Sequence, residues 1–80
     1  MKIEPVQVTA DWRADGRFIP RQFRWQGRVY QVESTGRYWE DEQGLHTLCM
    51  VPGGQVFELI FHLNPAGWSL KPPQSTLRAV

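Results

Sequence analysis

Apolar and polar residues alternate over short stretches along most of this chain, the signature of half-buried strands. No uninterrupted stretch of helical length carries a 3.6-residue period, because Gly and Pro punctuate the chain throughout. A first strand is predicted over Ile3–Thr9, with Val6 and Val8 on one face and Pro5 marking an edge or a strand start. Asp15-Gly16 is a turn signal that reverses the chain between Trp12 and Phe18.

The stretch "FRWQGRVYQVESTGRYWED", from Phe23 to Asp41, holds five aromatic rings and three arginines. If Gln26-Gly27 is a two-residue hairpin loop, Trp25 faces Arg28, Phe23 faces Tyr30 and Arg21 faces Val32. Directly opposed residues share a face. Phe23, Trp25, Tyr30 and Val32 then lie together, and Gln22, Arg24, Val29, Gln31 and Glu33 lie on the reverse. A three-residue loop with Gly27 in a bulge is the rival register and would split the rings between faces. The two-residue loop is preferred because it segregates apolar from polar.

A second hairpin, "LHTLCMVPGGQVFELIFHL", centres on Gly53-Gly54. Pairing Val51 with Val56 puts Met50 opposite Phe57, Leu48 opposite Leu59 and His46 opposite Phe61, an almost wholly apolar face. The reverse pairs Cys49 with Glu58, Thr47 with Ile60 and Leu45 with His62. Asn64-Pro65-Ala66-Gly67 is a further turn. A short last strand follows, with Trp68 and Leu70 on one face and Ser69 and Lys71 on the other, and Pro72-Pro73 ends it. The prediction is all-β: a small antiparallel barrel or strongly bent sheet of five to six strands built from hairpins, which limits exposed edges. Residues 1–73 form a single β domain and 74–80 a loose tail.

Composition adds boundaries. Eighty residues make one domain with a thin stability margin. The formal net charge is only +1, so no bulk field draws the chain to DNA or acidic lipid. The charge is uneven: residues 12–39 carry +4, residues 1–11 carry −1, and residue 40 onward carries −2. The single cysteine, Cys49, allows no intrachain disulfide and fits a reducing compartment. No signal-peptide or membrane-length apolar run is present, so a cytoplasmic protein without a membrane partner is expected.

Candidate chemistry is sparse. Cys49 and His62 share a face in the register above but stand four pairs apart, about 13 Å at ~3.4 Å per residue, too far for one ion. His46 points to the other face. No metal and no cofactor are therefore expected. Glu40-Asp41-Glu42 reads as a solvated loop cluster. No nucleophile, base and orienter assemble, so no catalytic residue is assigned and the chain is not read as an enzyme.

Arginines bind phosphates and rings stack on bases at ~1–3 kcal/mol each. The candidate nucleic-acid or partner surface is Arg13, Arg17, Arg24, Arg28 and Arg37 with Trp12, Tyr38 and Trp39. The competing explanation is an ordinary arginine-rich surface over aromatic residues that fill a small core. Arg28 beside Trp25 is then a cation–π clasp. Glu58, in a strand this apolar, is the candidate buried ion pair, with Arg24 or Arg28 as the expected partner.

"RQFRWQGRVYQV", "RYWED", "GGQVFELIF" and "GWSLKPP" together resemble a bacterial domain-of-unknown-function family, numbered 6504. The likeness falls on Phe23, Trp25, Gly27, Arg28, Tyr30, Val32, Arg37, Trp39, Gly54, Val56, Phe57, Glu58, Leu59, Trp68 and Leu70, within about residues 17–73. Tyr38, inserted between Arg37 and Trp39, departs from its pattern. The resemblance implies a stand-alone β domain, or one appended to DNA-repair polymerase-like chains. The expected function is a non-enzymatic β module binding single-stranded nucleic acid. The alternative is a protein-interaction or homodimerising module.

Overall fold

The computed structural model describes residues 4–73. The tail assigned to residues 74–80 lies outside them. Eight strands follow in chain order: β1 (Glu4–Pro5), β2 (Gln7–Trp12), β3 (Phe18–Trp25), β4 (Arg28–Gln31), β5 (Ser34–Asp41), β6 (Gly44–Met50), β7 (Val56–Leu63) and β8 (Ala66–Lys71). They form two antiparallel sheets, a five-stranded one of order β1-β8-β7-β6-β5 and a three-stranded one of order β2-β3-β4. The all-β expectation holds. The sheets do not close into a barrel, and there are more strands than the five to six expected, because β5 is a strand of its own and the first strand is broken in two.

The two sheets are continuous with each other at two sharp crossings. Val32 N still donates to Arg21 O at 2.9 Å in the small sheet, while Glu33 N already donates to Met50 O at 2.7 Å in the large one. The other crossing is at Val6, whose N reaches Trp68 O of the large sheet at 3.4 Å. The next residue, Gln7, pairs with Arg24 of the small one.

The first hairpin has the segregated register: Phe23 pairs with Tyr30 and Trp25 with Arg28. Gln26 and Gly27 both take positive φ, 51° and 77°, as a type I′ turn requires. Trp12 pairs with Phe18 across the Asp15-Gly16 turn.

The second hairpin differs from expectation by one residue. Cys49 pairs with Phe57, Leu48 with Glu58, Thr47 with Leu59 and His46 with Ile60. Gly54 N donates to Val51 O at 3.0 Å, and Val51 N to Gln55 O at 3.1 Å. Pro52 and Gly53 (φ 102°) are the central residues of a type II turn, and Gly54 (φ 87°) adds a left-handed residue. That extra residue shifts the pairing, and a one-residue slip exchanges the two faces. Cys49, Thr47, Phe57 and Leu59 therefore face the small sheet, with Trp68 and Leu70 beside them, while His46, Leu48, Met50, Val56, Glu58 and Ile60 face away. Leu45, Val51, Val56 and Ile60, apolar residues that the expected register puts on the reverse face as a surface for a protein partner or a second copy, do not form one surface.

Between the sheets lies one core of Phe23, Cys49, Val51, Phe57, Leu59 and Leu70, against which Val6, Val8, Trp25, Tyr30 and Val32 pack. Phe23 stacks on Tyr30 at 5.2 Å and meets Phe57 edge-on at 5.0 Å. A second ring cluster closes the far end: Phe18 and Phe61 each meet Trp68 at 4.8 Å, with Trp12 and Tyr38 at its margin. Of the five rings in the Phe23–Asp41 stretch, Phe23, Trp25 and Tyr30 thus belong to the core.

Candidate functional site

The β2–β3 turn packs against β5 and builds a basic, aromatic corner. Asp15 Oδ1 accepts from Arg17 N at 3.0 Å and shapes the turn. Arg17 then lies 5.0 Å from the Tyr38 ring centroid, and Arg37 4.8 Å from that of Trp39. Cation–π contacts of this kind contribute ~0.5–1 kcal/mol when exposed. A groove of about 300 Å³ runs between turn and strand, lined by Asp15, Gly16, Arg17, Tyr38, Trp39, Glu40 and Leu45. Tyr38 Oη is buried with no partner in hydrogen-bond geometry among the described residues. Burial pushes its phenol up, opposed in part by the adjacent Phe18 backbone and Arg17.

Of the proposed surface, Trp12, Arg13, Arg17, Arg37, Tyr38 and Trp39 belong to this end of the molecule. Arg24 and Arg28 do not. They lie at the β3–β4 end, and β3 spans eight residues, roughly 24 Å at ~3.4 Å per step. Arg28 sits over Tyr30 at 5.6 Å, not over Trp25, whose indole N–H donates to Glu4 Oε1 at 3.1 Å. Arg13 and Arg21 are committed to Asp15 and Asp11. Only Trp12 among the tryptophans is widely exposed, at 50%.

Glu58 takes neither Arg24 nor Arg28. Its Oε2 is 2.7 Å from His46 Nδ1 and 3.7 Å from Lys71 Nζ. His46 Nε2 is 2.7 Å from Asp41 Oδ1. Both ring nitrogens of His46 thus lie at hydrogen-bond distance from a carboxylate. The ring is 2% exposed and stacks on Trp39 at 4.8 Å and 14°. The hydrogen bond from His46, reinforced by the Gln43 and Gly44 backbone N–H groups, holds the Asp41 carboxyl below its ordinary value. Asp41 and Glu40 are strand residues, with only Glu42 in the turn, so the acidic run is not a loop cluster. The network was hidden because the expected register put Glu58 and His46 on opposite faces. In the observed one Glu58 is the diagonal neighbour of His46.

The turn leading into this network depends on Gly44. A Cβ there would meet Phe61 O at 2.1 Å, and its φ is 143°. His62 also faces outward, bonded to Gln43 O and Ser69 Oγ. Cys49 faces inward, so it does not share a face with His62. Its thiol is pushed up to about 12 by burial. No group of metal-ligating side chains occurs among the described residues, and no helix there is long and apolar enough to cross a membrane.

The third feature is the free edge of β5. Val51 N bonds Gln55 O, so the odd-numbered residues of β6 bond β7 and the even-numbered ones bond β5. Asp41 and Trp39, opposite Gly44 and His46, thus bond β6. The N–H and C=O groups of Tyr38 and Glu40 point outward, with no backbone partner among the described residues. Gly36-Arg37 form a bulge opposite Leu48. Beside the bulge an apolar hollow of about 230 Å³ is lined by Ser34, Thr35, Gly36, Leu48, Cys49, Met50 and Val56.

Fold and surface define a small all-β domain of two antiparallel sheets, joined at two crossings and ending in an open edge. No protein-family model, curated protein or solved structure matches the chain. The likeness to the domain-of-unknown-function family rests on the quoted residues alone.

Proposed function

We propose that this domain is a non-enzymatic interaction module that receives an extended protein segment along β5. The observation carrying this reading is the outward-facing, unpaired backbone of Tyr38 and Glu40 next to the apolar hollow. Strand addition draws affinity from such main-chain groups, and a side-chain pocket beside the edge supplies selectivity. Met50 and Val56, 38% and 41% exposed, flank the hollow and suit an apolar side chain of the incoming strand. Selection from a displayed library of extended octapeptides, followed by amide-shift mapping, tests it. Shifts at Tyr38, Glu40, Met50 and Val56 are expected. Selected peptides that shift only the small sheet would refute it.

A second reading, single-stranded nucleic acid, is favoured by one observation. Arg17 lies on Tyr38 and Arg37 on Trp39, at the end of the molecule that also holds half-exposed Trp12. It is the weaker reading, because the arginines divide between two ends and most rings are internal. Titration with single-stranded oligonucleotides at low salt distinguishes it. Tryptophan quenching that fades steeply with salt would favour it, through counterion release.

A further inference from the structure

The free edge of β5 is complementary to itself, and the geometry points to a second copy of this chain as its partner, the two β5 strands pairing antiparallel about a twofold axis at Trp39. The inference rests on the strand-receiving role of β5 proposed above and names the occupant.

Opposed residues in an antiparallel pair share a face. On β5, Arg37, Trp39 and Asp41 lie on the face away from the small sheet, and Tyr38 and Glu40 on the other. A twofold axis must therefore pair residues of like face. Centred on Trp39, it sets Tyr38 opposite the partner's Glu40 and Arg37 opposite the partner's Asp41. Tyr38 and Glu40 are the residues whose backbone groups point outward. Tyr38 N–H can then donate to the partner's Glu40 carbonyl and Glu40 N–H to the partner's Tyr38 carbonyl, and symmetry repeats both bonds. This is the self-complementarity a twofold interface demands.

Charge points the same way. No carboxylate lies within ion-pair distance of Arg37 among the described residues. Asp41 keeps 43% of its side-chain surface exposed despite its bond to His46. Arg37 and Asp41 thus meet once on each side of the axis, and the two Trp39 side chains meet on it. The axis placed at Tyr38 instead sets Arg37 opposite Trp39 and leaves Asp41 facing Thr35, with no pairing of opposite charges. The paired edges merge two five-stranded sheets into one and cover the outward groups that an open edge leaves exposed.

The test combines light scattering with hydrogen exchange on the whole chain, at concentrations up to about 1 mM, the range of weak association. The expected result is a mass rising from 9.3 kDa toward twice that value, with protection of the Tyr38 and Glu40 amides rising in step. Glu40→Pro removes one outward donor but no β5–β6 bond, so the fold is retained. It should weaken association about tenfold or more, as two lost hydrogen bonds of ordinary strength imply. Arg37→Glu, which opposes like charges on both sides of the axis, should weaken it several-fold. A dimer that survives Glu40→Pro unchanged overturns the inference, since it must use another surface. A monomer at every concentration, with fast exchange at Tyr38 and Glu40, overturns the second copy but leaves the edge open to other strands. A monomer in which those amides are already protected overturns both this inference and the edge reading.

Discussion

The two faces of the five-stranded sheet exclude water by different means. The inner face does so with carbon: Phe57, Leu59 and Leu70 are fully buried beneath the small sheet. On the outer face His46 and Ile60 are as buried, yet no strand of the small sheet lies over them. There Trp39 stacks on His46, and Asp41, Glu58 and Lys71 close a charged network around its ring. The inner face is therefore sensitive to lost volume. The outer face is sensitive to the loss of any one charged partner, because the remaining groups were arranged around it.

The largest effect is expected at the inner face. Phe57→Ala removes a ring that touches Phe23, Trp25 and Tyr30 and should cost ~3–5 kcal/mol. Total stability of a chain this size is ~4–12 kcal/mol, so chemical denaturation should find the variant near or past the edge of folding. Next comes the outer network. Glu58→Gln keeps the shape but loses the charge facing His46 and Lys71, and should cost ~1–3 kcal/mol in the same measurement. Retention of full stability would show that the outer face does not depend on charge.

pH separates the faces further. The Asp41 carboxyl is held below its ordinary value of 3.8, so its contribution is fully present above that pH and is lost as pH falls through the lower, folded value. Thermal melts from pH 5 downward should therefore show the wild type losing stability more steeply than Asp41→Asn. The inner face responds at the other extreme. Cys49 is pushed up from 9.0 to about 12, so its contribution holds below pH 9 and is lost as pH rises toward 12. The native thiol should accordingly resist alkylation at pH 8 until the chain unfolds. The smallest effect is expected at the corner, where Arg17→Ala loses an exposed contact on Tyr38 and should cost no more than ~1 kcal/mol by thermal melting.

The first hairpin was legible because its pattern alternates. Phe23, Trp25, Tyr30 and Val32 fall on one face only if Gln26-Gly27 closes the loop, and Gly27 tolerates the positive φ this needs. The second hairpin was not legible in the same way. "LHTLCMV" and "VFELIF" are apolar at nearly every position, so either register offers a buried face and the pattern cannot choose. The choice falls to the Pro52-Gly53-Gly54 loop, whose length sequence leaves open. From that one step follow the displaced partner of Glu58, the inward turn of Cys49 and the unforeseen role of His46.

What the sequence by itself determined is therefore local: the all-β class, most of the strands and turns, and the rings that the first hairpin gives to the core. These depend on side-chain period and backbone freedom, which neighbours in the chain decide. Tertiary structure alone decided which charges meet. The arginines of residues 12–39 look like one basic stretch, yet β3 carries them to opposite ends. His46 finds Asp41 across one turn and Glu58 across another. Such pairings depend on register and on the crossings at Val6 and Val32, which long-range packing sets.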